Sequence, residues 1–281
     1  MAQSIRIVTD SSCDLSPKLL EQYDIKVVPL SIRFGTTEYP DSTTIGPSEF
    51  WALCAASPAL PETAAPSPGA FVDCFNDLAL QGATEIICIT LSKKLSGTMQ
   101  SAQVAANNVT DKIPVHVIDS ESVSMGVGLL CLRAAELARS GMTSTEIIDL
   151  VNESRTRSSL FASLDTLENL KKGGRIGGAQ AMLGSLLSIK PVITVVDGLV
   201  AQDSKQRTRG KALEYLKEKL KRAQPGTRMA ICHGDAPDIE EFAAAVAEIH
   251  TGEIVVSDIG AVIGTHSGPR VMAVFFESLA P

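Results

Sequence analysis

Hydroxyl, imidazole and ammonium groups gather in three short segments rich in glycine or proline. Residues 63–69 read Thr-Ala-Ala-Pro-Ser-Pro-Gly, residues 91–98 Leu-Ser-Lys-Lys-Leu-Ser-Gly-Thr, and residues 259–269 Ile-Gly-Ala-Val-Ile-Gly-Thr-His-Ser-Gly-Pro. Ser96 and Gly97 fall where a strand pattern gives way to a helix pattern. In an open α/β sheet ligands lie beyond the carboxyl ends of strands. Unpaired N–H groups and the helix dipole favour an anion at such a point. Ser96 also reads as an ordinary N-cap, and a capping hydroxyl can face a ligand as well. His266 lies among glycines and hydroxyls rather than on an apolar face, and Gly264 and Gly268 indicate close backbone approach. His116, His233 and His250 sit in strand or helix-end patterns and rank below it.

Two basic stretches are ambiguous. Arg175 follows Gly173-Gly174, with Lys171 and Lys172 just before, and reads either as a solvated turn or as a docking anchor. Gln206-Arg207-Thr208-Arg209 reads either as a charged helix start or as a contact for a specific partner, since arginine opposes the dipole at a helix N-terminus. The Walker and GxGxxG nucleotide fingerprints are both absent, as is the G-x-S-x-G elbow of α/β-hydrolases. The six cysteines show neither CxxC spacing nor a histidine at zinc-site spacing, so no metal is expected and reduced thiols are.

The elements around these segments alternate. Strand patterns cover residues 5–9, 25–32, 85–91 and 115–119. Helix patterns cover 17–23, 47–56, 70–81, 97–107, 124–140 and 143–156, the last opening on a Thr143…Glu146 capping box. Residues 36–44 and 58–69 read as loops, the second because its prolines push preceding residues out of the helical region. Further on come a strand at 160–163, a helix around Leu167 and a helix at 179–187. A hairpin of 192–196 and 199–202 crosses Asp197-Gly198. Helices at 210–222 and 238–250 alternate with strands at 229–233, 253–257 and 271–276. The pattern predicts an α/β protein of two domains: an N-terminal domain, residues 1–158, with a parallel sheet flanked by helices, and a C-terminal α/β domain, residues 159–281, with a mixed sheet. The 281 residues allow this division,.

Hydrophobic residues make up 44% of the chain but aromatics only 4%, so the interior is built from Ala, Val, Ile and Leu. A net charge of −7 and a pI near 5.2 argue against general nucleic-acid binding and against a hold on anionic lipid surfaces,. No signal-peptide pattern and no long apolar run is present. A cytoplasmic location is the expectation.

Seven segments, in order, resemble the DegV family: TDSSCDL at 9–15, PSPGAF at 66–71, LSGTMQSA at 95–102, LENLKKGGRIGGAQA at 167–181, KPVITVVDG at 190–198, RTR at 207–209 and IGTHSGP at 263–269. The resemblance covers essentially the whole chain. It implies a two-domain lipid binder with a tunnel between the domains, and no cofactor other than a bound long-chain fatty acid. It also implies a non-catalytic subunit, which presents the acyl carboxylate to a separate ATP-dependent fatty acid kinase subunit that forms the acyl phosphate. By the same resemblance Thr63 and Ser96 bind the carboxylate, with Gly97 at the helix start, and Arg207 and His266 serve head-group binding or presentation. Arg175 and Lys172 are the expected docking residues. The chain departs from the family's usual Thr-Ser-Gln-Pro, reading Thr63-Ala64-Ala65-Pro66, and so lacks a hydroxyl beside the carboxylate. Lys93 and Lys94 replace smaller residues and add positive potential.

The chemistry of a fatty acid suits these groups. Burying fourteen methylenes offers roughly 11 kcal/mol at ~0.8 kcal/mol each. A buried carboxylate without partners is strongly disfavoured, and hydroxyls, a helix N-terminus, Arg207 or a protonated His266 are the expected partners. Two other readings stay open from residues alone. One is a hydrolase of small esters with Ser96 as nucleophile, His266 as base and Asp10 or Asp258 orienting it. The other is a regulatory α/β protein without a ligand.

Overall fold

The computed structural model describes residues 4–41, 45–109, 112–182 and 189–278. The first half runs β1 (Ile5–Asp10), α1 (Pro17–Tyr23), β2 (Ile25–Val28), β3 (Ser31–Phe34), β4 (Thr37–Pro40), α2 (Pro47–Ala56), β5 (Glu62–Ala64), α3 (Pro68–Leu80), β6 (Glu85–Thr90), α4 (Thr98–Val109), β7 (Val115–Asp119), α5 (Met125–Arg139) and α6 (Ser144–Arg157). The second runs β8 (Ser158–Ser163), α7 (Glu168–Lys172), β9 (Lys190–Val196), β10 (Leu199–Gln206), α8 (Arg209–Leu220), β11 (Met229–His233), α9 (Ile239–Ala247), β12 (Ile254–Asp258), α10 (Ala261–Ser267) and β13 (Met272–Glu277).

Three sheets result. Strands β2-β1-β6-β7 form a parallel sheet. Strands β10-β9-β8-β13-β11-β12 form a mixed sheet in which β11 and β12 pair in parallel and the other neighbours antiparallel. The expected pair of a parallel and a mixed sheet is therefore present. Alternating side chains send each sheet's residues to opposite faces. Val8, Ile86 and Cys88 pack with α3 and α4, whereas Ile7, Ile87 and Ile89 share a core with α5. That same core takes in Leu160, Ala162, Ala230, Cys232, Ala273 and Phe275 from the mixed sheet, so α5 is packed between the two sheets. Its glycines permit the approach: a Cβ on Gly128 would lie 2.8 Å from the Cys13 carbonyl oxygen, and one on Gly126 3.4 Å from the Phe275 ring. The opposite face of the mixed sheet, with Phe161, Val192, Ile231, Val274 and Phe276, is covered by α8 and α9.

The structure corrects four sequence expectations. The single strand expected over 25–32 is two, β2 and β3, in different sheets. Pro29 has no N–H for a ladder, and the Leu30 N–H donates to Ser11 Oγ instead of to a strand, 3.0 Å. The expected loops at 36–44 and 58–69 contribute β4 and β5, which flank β3 in a third, antiparallel sheet of order β4-β3-β5. Residues 261–267, expected as loop, form α10. Of the helix expected over 179–187, the first four residues belong to a 3-10 helix, Gly177–Met182, and the remainder, 183–187, lies outside the described residues. The Thr143–Glu146 capping box forms in full, and Asp197 and Gly198 both take positive φ, as a type I′ hairpin turn requires,.

Candidate functional site

Thr63, Ser96, Gly97, Arg175 and His266 all line one cavity of about 170 Å³. The remainder of its wall is almost entirely aliphatic: Leu30, Leu91, Leu95 and Val123 from loops, and others from the mixed sheet, α7 and α10. Polar groups thus converge on an otherwise apolar hollow, the arrangement typical of sites for small apolar ligands.

Each polar group has a local reason for its position. Thr63 sits on β5, and pairing with β3 holds it opposite Ile32. Phe50 and Trp51 of α2 pack beneath, and a Cβ on Gly264 would lie 2.7 Å from the Phe50 ring and 3.1 Å from Trp51. Gly264 is therefore a packing requirement that draws α10 against the small sheet, and His266 reaches Thr63. Thr63 Oγ1 and His266 Nε2 are 3.0 Å apart. On the ring's other side, Gly173 leaves no room for a side chain: a Cβ there would stand 2.2 Å from His266 Nδ1. The KKGGR turn is thus a seat for the imidazole.

Nδ1 of His266 is buried with no hydrogen-bond partner among the described residues. An unpaired acceptor is tolerated better than an unpaired N–H. The tautomer that fits carries its proton on Nε2 and donates it to Thr63 Oγ1, an assignment inferred from this bonding pattern. The Thr63 hydroxyl can then donate its own proton to a ligand. Burial, with the Arg175 guanidinium acting in the same direction, holds the His266 pKa down to about 4. The imidazole is neutral at neutral pH, which corrects the expectation of a protonated His266.

Ser96 precedes α4. Its Oγ accepts from the Thr98 N–H at 3.3 Å and lies 2.9 Å from Thr98 Oγ1. It is therefore a cap and a cavity-lining group at once. A Cβ on Gly97 would meet nothing within 4 Å, so space is open over the first turn of α4, where backbone N–H groups lack intrahelical acceptors. The loop is anchored from below by buried Asp10, whose carboxylate accepts from the Leu91 N–H at 2.9 Å. Burial pushes the Asp10 pKa up, against the pull of its hydrogen bonds.

The basic residues divide differently from expectation. Arg175 is half-buried at the cavity, its Nε donating to the Leu95 carbonyl at 3.2 Å and its Nη1 to the Gly173 carbonyl at 2.7 Å. Arg207, expected at the head group, is exposed and does not line the cavity. It lies between β10 and α8, where Thr208 caps the helix and Arg209 holds Asp238 through two hydrogen bonds. The Thr208 cap and the Arg209–Asp238 pair account for the local shape of that segment. Lys172 is exposed at the end of α7.

Sequence reasoning missed Ser267 and Ser124. Ser267 lines the cavity and its Oγ is buried with no partner among the described residues. Its place beside His266 was the available signal. Ser124 also lines the cavity, with φ 54° and ψ −141°, and its hydroxyl donates to Asp14. Ala64 and Ala65 line the mouth too, so methyl groups stand where the resemblance led one to expect serine and glutamine. Among the described residues the Ser96–His266–Asp triad is not assembled: His266 pairs with Thr63 rather than Ser96, Asp258 lies 3.4 Å from His233, and Asp10 holds Ser12 and Leu91. Among the described residues no group of three or more His, Cys, Asp or Glu could hold a metal ion, and no helix is long and apolar enough to cross a membrane.

Fold and site together define an α/β protein with a parallel and a mixed sheet and an apolar cavity with a polar head, set between the mixed sheet, α10, β5 and the loops that follow β6 and β7. Residues 4–279 match the DegV family, and the chain belongs to it. A DegV domain-containing protein of Deinococcus radiodurans is 35% identical over 282 residues, 99% of each chain. A solved structure described as showing fatty acid binding of a DegV family protein from Thermus thermophilus superposes with a TM-score of 0.92 at 34% identity, covering 99% of this chain and 100% of that one. DegV of Bacillus subtilis, described as a fatty acid binding protein, gives 0.87 at 31% identity over 99% and 100%.

Proposed function

We infer that this protein binds one long-chain fatty acid, its tail in the aliphatic cavity and its carboxylate at Thr63, Ser96 and the first turn of α4. The observation that carries this is the meeting of Thr63, Ser96 and neutral His266, from three distant segments, at one cavity whose other walls are greasy. His266 orients the Thr63 hydroxyl, and Arg175, not Arg207, supplies the positive charge. Ser267 offers a further hydroxyl. The fatty acid binding described for the Thermus and Bacillus proteins supports the same reading.

Presentation of the carboxylate to a separate ATP-dependent kinase subunit, in the cytoplasm, is the finer part of the proposal. It rests on the motif resemblance and on a sequence without a phosphate cradle. Lys172, one residue from the seat of His266, is the docking residue proposed for that partner. The protein itself acts as a carrier and not as the catalyst.

Adding fatty acid to delipidated protein tests the binding directly. Ligand at 100 times its dissociation constant adds about 2.7 kcal/mol of stability, read as a raised Tm. No change in Tm with any fatty acid would return the protein to the ligand-free reading.

A further inference from the structure

The cavity shares a wall with a second space. A polar cleft of about 720 Å³ lies between α5, α6 and the end of the mixed sheet, and Leu160, Val195 and Phe275 line both it and the aliphatic cavity. Strand register explains why these three form one partition. Leu160 pairs with Phe275 across β8 and β13, and the β8–β9 register that pairs Ala162 with Ile193 sets Leu160 beside Val195. They are therefore neighbours in a single row across β9, β8 and β13.

Rows along this sheet face change character at that point. Val271 and Leu164, next to α7 and the His266 segment, begin the floor of the cavity. Ala273, Ala162 and Ile193 continue it, and the Phe275 row comes four residues, about 13 Å, beyond the first. Two residues further on the same face stand Asp197, Ser158 and Glu277, which line the cleft together with Arg133 and Arg157. A hydrocarbon tail running away from His266 thus meets one row of apolar side chains and then a charged, water-accessible space. About 170 Å³ is little more than the ~150 Å³ that holds a benzene ring, so a long tail presses on its walls. The wall backed by the cleft, not by packed core, decides how far it goes.

We propose that the Val195–Leu160–Phe275 row sets the length of acyl chain this protein accepts, by dividing the aliphatic cavity from the polar cleft. This rests on the fatty-acid reading above. Methylenes on the near side are buried, whereas those pushed past the row lie among carboxylates and guanidinium groups and gain nothing.

Val195 is half-buried, faces both spaces and can be changed without emptying the core. Affinities of saturated acids of increasing length, measured with delipidated protein, are the test. Wild-type affinity rises about fourfold per methylene up to a limiting length and is flat beyond it. Val195→Ala moves that limit to longer chains and raises the affinity of the first acid beyond the old limit several-fold. Val195→Phe moves it to shorter chains. Unchanged profiles in both variants, with wild-type binding intact, overturn the proposal. A wild type that binds no acid of any length overturns the underlying reading as well.

Discussion

Thr63 stands in two relations at once: with the inferred tautomer it accepts from His266, which leaves its own proton to donate to a ligand in the cavity it lines,. Ser96 is similar, since it caps α4 and lines the same hollow. Removing the Ser96 hydroxyl is therefore felt both at the start of α4 and by the ligand. Ser96→Ala weakens fatty-acid binding by about 1–3 kcal/mol, the cost of an under-satisfied carboxylate, and calorimetric titration of delipidated protein reads it. Unchanged affinity would remove Ser96 from the site. His266 adds a pH signature. Its pKa falls from 6.5 to about 4 on folding. Above pH 6.5 both states are neutral and nothing is lost. Between 6.5 and 4 the unfolded chain takes up a proton that the folded one refuses, so stability falls as pH falls through this window. The full loss approaches about 3 kcal/mol. Urea unfolding at about pH 7.5 and pH 4.5 reads most of it, as a difference that shrinks by about 2.5 kcal/mol in His266→Gln. An equal pH response in the two proteins would show that the imidazole is not held neutral by the fold.

At the scale of elements, the glycines carry the lesson of what the sequence revealed. Regular elements with strong punctuation were legible: Pro17 and Ser16 at α1, the Thr143 capping box, the Asp197-Gly198 hairpin. Helix α10 was not, because Gly264 and Gly268 read as points of close backbone approach rather than as helix positions. The physical reason for Gly264 is contact with Phe50 and Trp51, residues more than two hundred positions away. In the same way Gly173-Gly174 looked like a surface turn, yet Gly173 is pressed on the imidazole. The resemblance put Thr63, Ser96 and His266 at one head group, and all three line one cavity. Arg175 was expected at a docking surface and Ser267 was not singled out, since only tertiary packing brings them to the cavity. Gly173→Ala tests the seat. The added methyl displaces His266, lowering stability by about 1–3 kcal/mol and weakening fatty-acid binding. Thermal melts and ligand titration of this variant check both effects, and a fully native variant would show that the ring has another place to go.

In the whole molecule α5 packs between a parallel and a mixed sheet in a core cluster that both share, and the cavity is walled by the mixed sheet, β5, α7, α10 and the loops that follow β6 and β7. The division near residue 158 expected from sequence remains a proposal about how the chain is organised, and the shared core implies that the two parts stabilise each other. Enclosure is also what makes the ligand energetics work. A tail inside the fold gains burial that no surface groove supplies, while its acid end stays with the hydroxyls. Native mass spectrometry of the protein purified from a bacterial host weighs that claim most directly. The account predicts a dominant species heavier than the polypeptide by the mass of one long-chain fatty acid, and loss of that mass on delipidation with return when the acid is restored. A bare polypeptide mass that stays bare after incubation with long-chain acids would contradict it.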